Sequence, residues 1–496
     1  MTQRSAALPS FKTFARPESA PALYTGPLRR ALRKAQEEAR LRGGPVVASL
    51  VVPFPEVDSQ RLAALLDLID DDAFFWRPPG AESTLLGAGC AHAVTASGPE
   101  RFAAVKEAWE ALSRGARIER AGSEGAPPPM TGPLLLGGFA FDPLAAKDPL
   151  WTGFPDALFL LPRLMVTQGA SGSWLTLNAA VEADSDPEVE AERLLAAAGR
   201  LEAAREAAAG EAGVPEGEQP GGVVRLDEGD TARWKAAVAE AAAAVRSGRL
   251  QKAVLARRAR ARLPGPARPG RTLAALIDAY PECYGFAVRR GGRTFLGATP
   301  ERLVALEGRD VCTMCLAGSI RRGESPEEDQ RLGEQLLSDP KNLEEHRIVV
   351  AMIRSALEAF CESLEVAPAP SLLKVRNVQH LFTPVRGRLA APRSILDLVE
   401  RLHPTPAVGG HPTGAALELI RAVEGMDRGW YAGPVGWIGP GGGDFAVALR
   451  SALLAGDEAH LFAGCGIVAD SDPDAEFEES ALKMRPVIQA LERSPR

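Results

Sequence analysis

Residues 461–486 constrain the fold most. In this segment an apolar run ends at two glycines and is followed by the residues of a helix start. The run ends at residues 463–466, with the sequence Ala-Gly-Cys-Gly. Asp472 and Pro473 then have the residue types preferred at a helix N-cap and at the first helical position. The segment therefore predicts a strand followed by a capped helix.

Three charged residues share one face of this predicted helix. Glu476, Glu479 and Lys483 are spaced three and four residues apart, which places them on adjacent turns. Taken alone, such a stripe is more typical of a solvated surface, where a Glu479–Lys483 pair contributes only about 0.3–0.5 kcal/mol.

The chain length predicts more than one structural unit. At 496 residues the chain exceeds the roughly 250–300 residues at which single hydrophobic cores stop growing. Gly, Pro and Glu dominate residues 211–222, which we interpret as an exposed linker. The predicted organisation is an N-terminal extension at 1–27, an N-terminal half at 28–222 and a C-terminal half at 223–496.

The composition is typical of a soluble globular protein, with 46% hydrophobic and 24% charged residues. The net charge of -7 argues against nucleic acid as the main partner. No apolar run reaches the ~18 residues that a membrane span needs, and the start of the sequence lacks the apolar core of a signal peptide. We therefore expect a cytoplasmic protein with no membrane partner.

In the N-terminal half, short β-like runs alternate with amphipathic helix patterns. Strands are predicted at residues 46–53, 73–77 and 134–143, the last broken by a glycine pair that favours close backbone approach. Helices are predicted at 101–114 and 187–211. No glycine spacing of a phosphate-binding loop occurs.

The C-terminal half opens with a predicted helix at 231–246 and a predicted strand at 250–260. Alternation in the strand places Lys252 on the same face as Val254 and Ala256. A lysine on a face of small residues is either a sheet-edge residue or a functional amine, and the pattern leaves both open.

Two acidic residues stand at unusual positions. Proline cannot continue a strand ladder, so the predicted strand at 294–303 is interrupted at Pro300, and Glu301 falls in a loop, where catalytic groups often lie. A surface acid is the commoner alternative for Glu301.

Glu345 lies on the buried face of a predicted helix. When the apolar stripe of the helix predicted at 342–364 is extended by one turn toward the helix start, it includes Glu345. An unpaired buried charge is costly, and a hard cation such as Mg2+ would offset that cost.

Four further strands are predicted at residues 374–388, 429–438, 444–454 and 460–468, the last two joined as a hairpin by Gly456-Asp457. His380 lies inside the first of these strands, where a histidine is usually a satisfied core group. Arg450 lies in the third, where alternation puts it on the same face as Ala446 and Ala448.

Seven motifs occur in the order found in the chorismate-binding enzymes, a family that includes isochorismate, anthranilate, aminodeoxychorismate and salicylate synthases. The motifs are KAVLAR, FLGATPERL, LAGSIRRG, KNLEEHRIVV, VQHL, HPTPAVGG and FAGCGIVADSDPDAEFEES. The motifs cover about residues 225–490. The first half, with its sequence GGFAFDP, is compatible with the family's less distinctive N-terminal portion, so the resemblance spans nearly the whole chain. The resemblance implies an α/β fold of the α+β type, in which two halves, each with an antiparallel sheet, form a sandwich-like core with helices outside.

The resemblance also implies a metal site. Glu345 and Glu479 match the carboxylates that hold a Mg2+ ion, which binds the ring carboxylate of chorismate, and Glu476 matches an acid that reaches the ion through water. Asn342 stands where the family usually has an acid, a departure that bears on one water-mediated contact.

The positions that match the family's substrate-binding groups are Arg450, Tyr431, Gly464, Lys483, His380, Ser319 and Ala407. Arg450, Tyr431 and the Gly464 backbone match groups that receive the enolpyruvyl carboxylate. Lys483 matches a lysine that reaches the substrate carboxylate, and His380 matches a histidine near the ring.

Three positions distinguish the members of the family. Lys252 stands where amine-transferring synthases have a glutamine, Ala317 where aminodeoxychorismate synthases have a nucleophilic lysine, and Ala407 where salicylate synthases tend to have threonine. All three favour an isochorismate synthase. A salicylate synthase is the nearest alternative, followed by an anthranilate or aminodeoxychorismate synthase component and by a non-catalytic chorismate-binding protein.

In the implied reaction, Lys252 takes a proton from the water that attacks ring C2, and Glu301 protonates the departing C4 hydroxyl. A lysine can act as a base where desolvation or a neighbouring cation lowers its pKa. No amidotransferase subunit is expected as a partner, and the expected assembly is a monomer or weak dimer. The pathway, menaquinone or siderophore synthesis, is left open.

Overall fold

The structure is a computed structural model that describes residues 22–80, 83–122, 130–170, 172–210 and 222–493. All but the last residue of the predicted linker at 211–222 therefore lies outside the described residues. Most of the predicted extension at 1–27 also lies outside them, and its last residues begin the first helix.

The α-helices of the described ranges are α1 (Ala22–Arg42), α2 (Ser59–Ala64), α3 (Arg101–Ser113), α4 (Pro187–Gly210), α5 (Thr231–Arg246), α6 (Pro269–Ala279), α7 (Pro326–Ser338), α8 (Pro340–Glu358), α9 (Ile395–Leu402), α10 (Thr413–Val423) and α11 (Pro473–Arg493). Short 3-10 turns lie at Leu65–Leu68 and Pro149–Trp151.

The strands of the first part of the chain are β1 (Val46–Phe54), β2 (Ala73–Arg77), β3 (Ser83–Ala96), β4 (Arg117–Arg120), β5 (Leu135–Phe139), β6 (Ala157–Gly169), β7 (Gly172–Val181) and β8 (Arg225–Asp227). Those of the second part are β9 (Lys252–Arg262), β10 (Tyr284–Arg290), β11 (Arg293–Thr299), β12 (Arg302–Glu307), β13 (Asp310–Arg321), β14 (Cys361–Val366), β15 (Ser371–Lys374), β16 (Val378–Leu389), β17 (Gly410–His411), β18 (Pro434–Gly439), β19 (Gly442–Val447), β20 (Ser451–Ala455) and β21 (Glu458–Ile467).

Two large, mainly antiparallel sheets are joined by one ribbon. The first sheet runs β4-β1-β7-β6-β3-β2-β10-β11-β20-β21-β9, with β8 and β17 on the far edge of β9. The second runs β3-β6-β5-β18-β19-β12-β13-β16, with β14 and β15 on the far edge of β16. The long β3–β6 pair belongs to both sheets, because the beginning of β6 pairs with β5 and its end with β7.

Apolar side chains of both sheets form a common core. Phe139 and Phe445 of the second sheet and Phe286 and Phe295 of the first are fully buried in one cluster. A second cluster lies between the first sheet and helices α1, α2, α4, α6 and α11. The predicted sandwich-like core with helices outside is confirmed. Each sheet takes strands from both predicted halves, however, so the expectation of one sheet per half is not met.

Several predicted elements are correct and others are not; the strand predicted at 374–388, for example, begins only at Val378. Helix α5 has the expected bounds. Strands β20 and β21 form a hairpin with the expected turn. The helix predicted at 342–364 ends at Glu358, because the chain from Cys361 onward pairs as β14 with the edge of β16. The strand predicted at 444–454 is two strands, since Arg450 has a φ of 47° and breaks the ladder. The strand predicted at 429–438 begins only at Pro434.

Within the described ranges, no helix is both long enough and apolar enough to span a bilayer.

Replacement of Phe445 by alanine tests the shared core. The ring is fully buried, with ring centroids of Phe159 at 6.1 Å and Phe139 at 6.4 Å. The cavity left behind should lower the free energy of unfolding by about 3–5 kcal/mol, measured by chemical denaturation. Leu144→Ala is the control, because that side chain is 61% exposed. A loss below about 1 kcal/mol for Phe445→Ala would contradict the assigned core.

Candidate active site

A cavity of about 270 Å³ lies between β9 and β21 of the first sheet and β13 and β16 of the second. Its volume suits a small molecule rather than a folded partner. All the residues predicted for the site line it: Lys252, Glu301, Ser319, Glu345, His380, Ala407, Tyr431, Arg450, Gly464, Glu476, Glu479 and Lys483.

Strand pairing positions Lys252. Strand β9 pairs along β21, with Val254 opposite Gly466. A Cβ atom on Gly466 would lie 2.8 Å from Cε and 3.2 Å from Nζ of Lys252, so glycine leaves room for the lysine in this position. Lys252 is 2% exposed, and its Nζ lies 2.6 Å from Oε1 of Glu345. Of the two alternatives, the sheet-edge residue is therefore excluded.

Two helix starts carry the carboxylates. Asp339 caps α8 by accepting from the Asn342 backbone N–H at 3.2 Å, and Glu345 follows on the second turn. Asp472 caps α11 as predicted, accepting from the backbone N–H groups of residues 474 and 475. Glu476 and Glu479 project from the first two turns of α11 into the cavity. The side chain of Asn342 also lines the cavity and donates to Asp339.

The donor set around α11 fits a hard divalent cation. Ligand atoms of Cys465, Glu476 and Glu479 lie within 4.8 Å of one another. Burial and the charge of Glu479 raise the pKa of Glu476, as expected for two neighbouring carboxylates. Burial raises the pKa of the Cys465 thiol well above its ordinary value, so the oxygens are the anionic donors. Mg2+ prefers such ligands.

Lys483 connects α11 to β21. Its Nζ lies 2.6 Å from Oε1 of Glu479 and donates to the Gly464 carbonyl at 3.0 Å. Burial alone would lower the pKa of Lys483, but the charge of Glu479, the hydrogen bond to it and further neighbouring groups together outweigh burial, and the pKa is raised. Lys483 is therefore a charged group at neutral pH, and its contact with Gly464 is to the carbonyl.

His380, Arg450 and Ser319 form one hydrogen-bonded chain. An N–H of Arg450 donates to Nε2 of His380 at 2.9 Å, and Nδ1 of the same ring lies 2.8 Å from the Ser319 hydroxyl. Since a guanidinium can only donate, Nε2 must accept and Nδ1 carries the proton. Burial and the charges of Arg450 and Lys483 hold the pKa of His380 well below its usual value. The ring is neutral and orients the arginine.

Arg450 and Ala432 both line the cavity with positive φ angles, 47° and 61°. The prediction that Arg450 shares a strand face with Ala446 and Ala448 is wrong, because the strand ends before it and its left-handed backbone turns the side chain toward His380. Such strained positions persist where the surrounding structure fixes them, often at functional sites.

Tyr431 forms a wall of the cavity. It is 4% exposed and stacks on Phe462, with ring centroids 5.5 Å apart. A Cβ atom on Gly464 would lie 3.2 Å from the Tyr431 hydroxyl, so glycine allows the phenol to reach β21. Burial raises the pKa of Tyr431, which keeps the hydroxyl a proton donor.

Glu301 lies between β11 and β12, in the loop that Pro300 predicts. It is 5% exposed, so the alternative of a surface acid is wrong. Burial raises the pKa of Glu301 to about 7, although the charge of Lys252 acts in the opposite direction. At neutral pH this carboxyl group is therefore available as a proton donor.

Arg428 also lines the cavity, although it was not among the site residues predicted from the sequence. Its guanidinium donates to the carbonyls of Val254 at 2.6 Å and Val408 at 2.9 Å and pairs with buried Glu424. The group ties β9 to the loop that carries Ala407. A single arginine in a loop has no periodic signal by which it could have been found.

Comparisons with known proteins identify the family. Residues 31–492 match the family model described as chorismate binding enzyme. The chain belongs to this family. Relatives are isochorismate synthase MenF of Bacillus subtilis, 41% identical over 84% of this chain and 87% of the relative, and the salicylate biosynthesis isochorismate synthase of Pseudomonas aeruginosa, 39% identical over 94% of each.

A solved structure supports the same family assignment. The chorismate-binding enzyme described here is similar to the menaquinone-specific isochorismate synthase MenF of Escherichia coli, with a TM-score of 0.71 and 26% identity over 92% of this chain and all of the other. The resemblance to isochorismate synthases and the predicted fold class are thereby confirmed.

Replacement of Glu301 by glutamine tests the burial of this carboxyl group. Because the folded-state pKa of about 7 lies above the ordinary 4.5, the native state holds the proton more tightly. Its contribution to stability is present below pH 4.5 and is lost as the pH rises through about 7. The stability of the wild type relative to Glu301→Gln should fall by up to about 3 kcal/mol between pH 4.5 and 8, measured by urea denaturation.

Glu344→Gln is the matched control, because its side chain is 58% exposed. That variant should not reproduce the fall. Equal pH dependence in wild type and Glu301→Gln would show that Glu301 titrates as an ordinary surface acid.

Proposed function

We propose that this chorismate-binding enzyme is a Mg2+-dependent isochorismate synthase, an isomerase that converts chorismate to isochorismate. Water attacks ring C2 and the C4 hydroxyl leaves. The observation that carries the proposal is the presence, in one cavity, of the buried amine Lys252 and the buried acid Glu301 beside three carboxylates. The isochorismate synthases named above support it.

The charges of the cavity suit a dicarboxylate. Arg450 and Lys483 line it together with the Tyr431 hydroxyl, and these groups are proposed to receive the enolpyruvyl carboxylate and hold the substrate carboxylates. His380 fixes the guanidinium of Arg450, so less orientational freedom is lost when the anion binds. Burial strengthens each contact because little water competes.

The metal carboxylates are proposed to be Glu345 and Glu479, with Glu476 reaching the ion through water. When bound there, Mg2+ supplies positive charge that neutralises and orients the ring carboxylate. Ser471 donates to Glu476 at 2.8 Å, which fixes that carboxylate at the start of α11.

Two groups of the chain move the protons. Lys252 accepts a proton from the attacking water, and Glu301 donates one to the departing hydroxyl, which is too basic to leave as hydroxide. The step starts from an unprotonated amine and a protonated carboxyl group, as base and acid catalysis require. Ala407 and Val408 line the wall of the same cavity.

A direct assay tests the function. Purified protein incubated with chorismate and Mg2+ should form isochorismate, without salicylate or pyruvate. Pyruvate release would indicate the alternative, a salicylate synthase. An aminated product in the presence of ammonia would indicate an anthranilate or aminodeoxychorismate synthase. Absence of any product would leave only a chorismate-binding protein.

The proposal includes no amidotransferase subunit, because Lys252 replaces the glutamine expected for amine transfer. A cytoplasmic monomer or weak dimer remains the prediction. The named relatives act in menaquinone and in salicylate biosynthesis, and formation of isochorismate is common to both.

Lys252→Ala should lower kcat by about 100- to 10,000-fold, since a positioned general base contributes that much. The fold and Mg2+-dependent chorismate binding should persist, checked by circular dichroism and calorimetry. Lys235→Ala is the control, because this lysine of α5 forms a surface pair with Asp474. Full turnover by Lys252→Ala would remove Lys252 from the role of base.

The pH profile should report Glu301. Only the protonated acid can donate, so kcat/KM should fall about tenfold per pH unit above its pKa of about 7. Glu301→Gln should be slow and should lack this alkaline limb. A wild-type profile that rises steadily to pH 9 would contradict the assignment.

A further inference from the structure

The Lys252–Glu345 ion pair occupies a carboxylate oxygen that a divalent cation would use. Nζ of Lys252 lies 2.6 Å from Oε1 of Glu345, and the two side chains are only 2% and 18% exposed. We propose that Lys252 and the divalent cation compete for Glu345, so that loading of the cation frees the Lys252 side chain to face the substrate. This proposal rests on the metal site of the proposed function, in which Glu345 is a ligand, but it does not depend on Lys252 acting as the base.

Charge repulsion opposes the simultaneous binding of Lys252 and a divalent cation to Glu345. A carboxylate oxygen lies about 2.0–2.1 Å from a bound Mg2+. With the ammonium group 2.6 Å from the same carboxylate, two positive charges would stand within a few ångströms of each other in a site with little water to screen them. Binding of the cation should therefore weaken the contact between Lys252 and Glu345.

The surroundings of Lys252 decide which way it moves. Its Cε and Nζ lie over Gly466, where even one added carbon would be 2.8 Å and 3.2 Å away, so the strand blocks that side. The open side is the cavity, which Glu301 also lines. Displacement from Glu345 would therefore carry the amine toward the space between Glu301 and the metal carboxylates.

The second lysine of the site provides an internal comparison. Lys483 pairs with Glu479, but it also donates to the Gly464 carbonyl at 3.0 Å. The pair is also more exposed, with side-chain exposures of 26% and 46%. Lys483 thus keeps an acceptor when Glu479 binds a cation, and its removal should affect metal affinity less than removal of Lys252.

Mg2+ titration of Lys252→Met in the absence of chorismate tests the competition. Loss of the ammonium removes a charge-assisted hydrogen bond that the metal must break, so the variant should bind Mg2+ about tenfold or more tightly than wild type. The affinity is measured by isothermal calorimetry on chelator-treated full-length protein. Mg2+ should also raise the melting temperature of Lys252→Met by more than that of the wild type.

Two variants separate competition from a general charge effect. Lys252→Arg keeps the positive charge and should not gain affinity. Lys235→Met removes the same charge from the surface pair with Asp474 and should bind Mg2+ like wild type. Lys483→Met should gain less than Lys252→Met. If Lys252→Met does not fold, Lys252→Gln takes its place with the same expected gain.

Equal or weaker Mg2+ binding by the neutral variants would overturn the proposal, and so would a failure of both wild type and variants to bind. Neither readout uses product formation. If the wild type makes no isochorismate, the proposed function fails while the titration still decides the competition.

Discussion

The antiparallel pairing of β9 with β21 is the contact on which the site depends. The paired residues extend from Arg262 with Glu458 to Ala253 with Ile467. This pairing sets Lys252 beside Gly466 and fixes where β21 leads into α11 and its carboxylates. A slip of one residue would turn every side chain of a strand to the opposite face, so the register decides whether the lysine enters the cavity.

Around that strand pair, the charged groups that line the cavity are placed so that each has a partner. Lys252 contacts Glu345, Lys483 contacts Glu479, and Arg450 contacts a histidine held neutral. A lone buried charge would cost several kcal/mol, and these pairs reduce that cost. For Glu301 the cost of burial is lowered in another way, because its raised pKa lets the carboxyl group become uncharged. This arrangement lowers the free-energy cost of burying the charges. It also leaves positive and negative groups in the cavity that can contact a charged ligand.

Local features were predictable from the sequence and distant pairings were not. The Asp-Pro helix start of α11 and the Gly-Asp hairpin turn are signals within a few residues. The break at Arg450 depends on a backbone angle that surrounding loops impose, and no local pattern announces it. For the site, pattern alone left Lys252 and Glu301 undecided. The family motifs selected them, and their burial of 95% or more explains why they were not surface charges.

The exchange of strands between the two halves has a consequence for how the chain is made. Strand β2 pairs with β10, and β5 pairs with β18. While a ribosome is still synthesising the second half, the edges of β2 and β5 have no neighbours, and open edges are the surfaces through which proteins aggregate. Much of the folding must therefore follow translation, as for other topologies rich in long-range contacts. Fragments separated near residue 222 would retain those edges, so the halves are better produced as one chain or together in one cell.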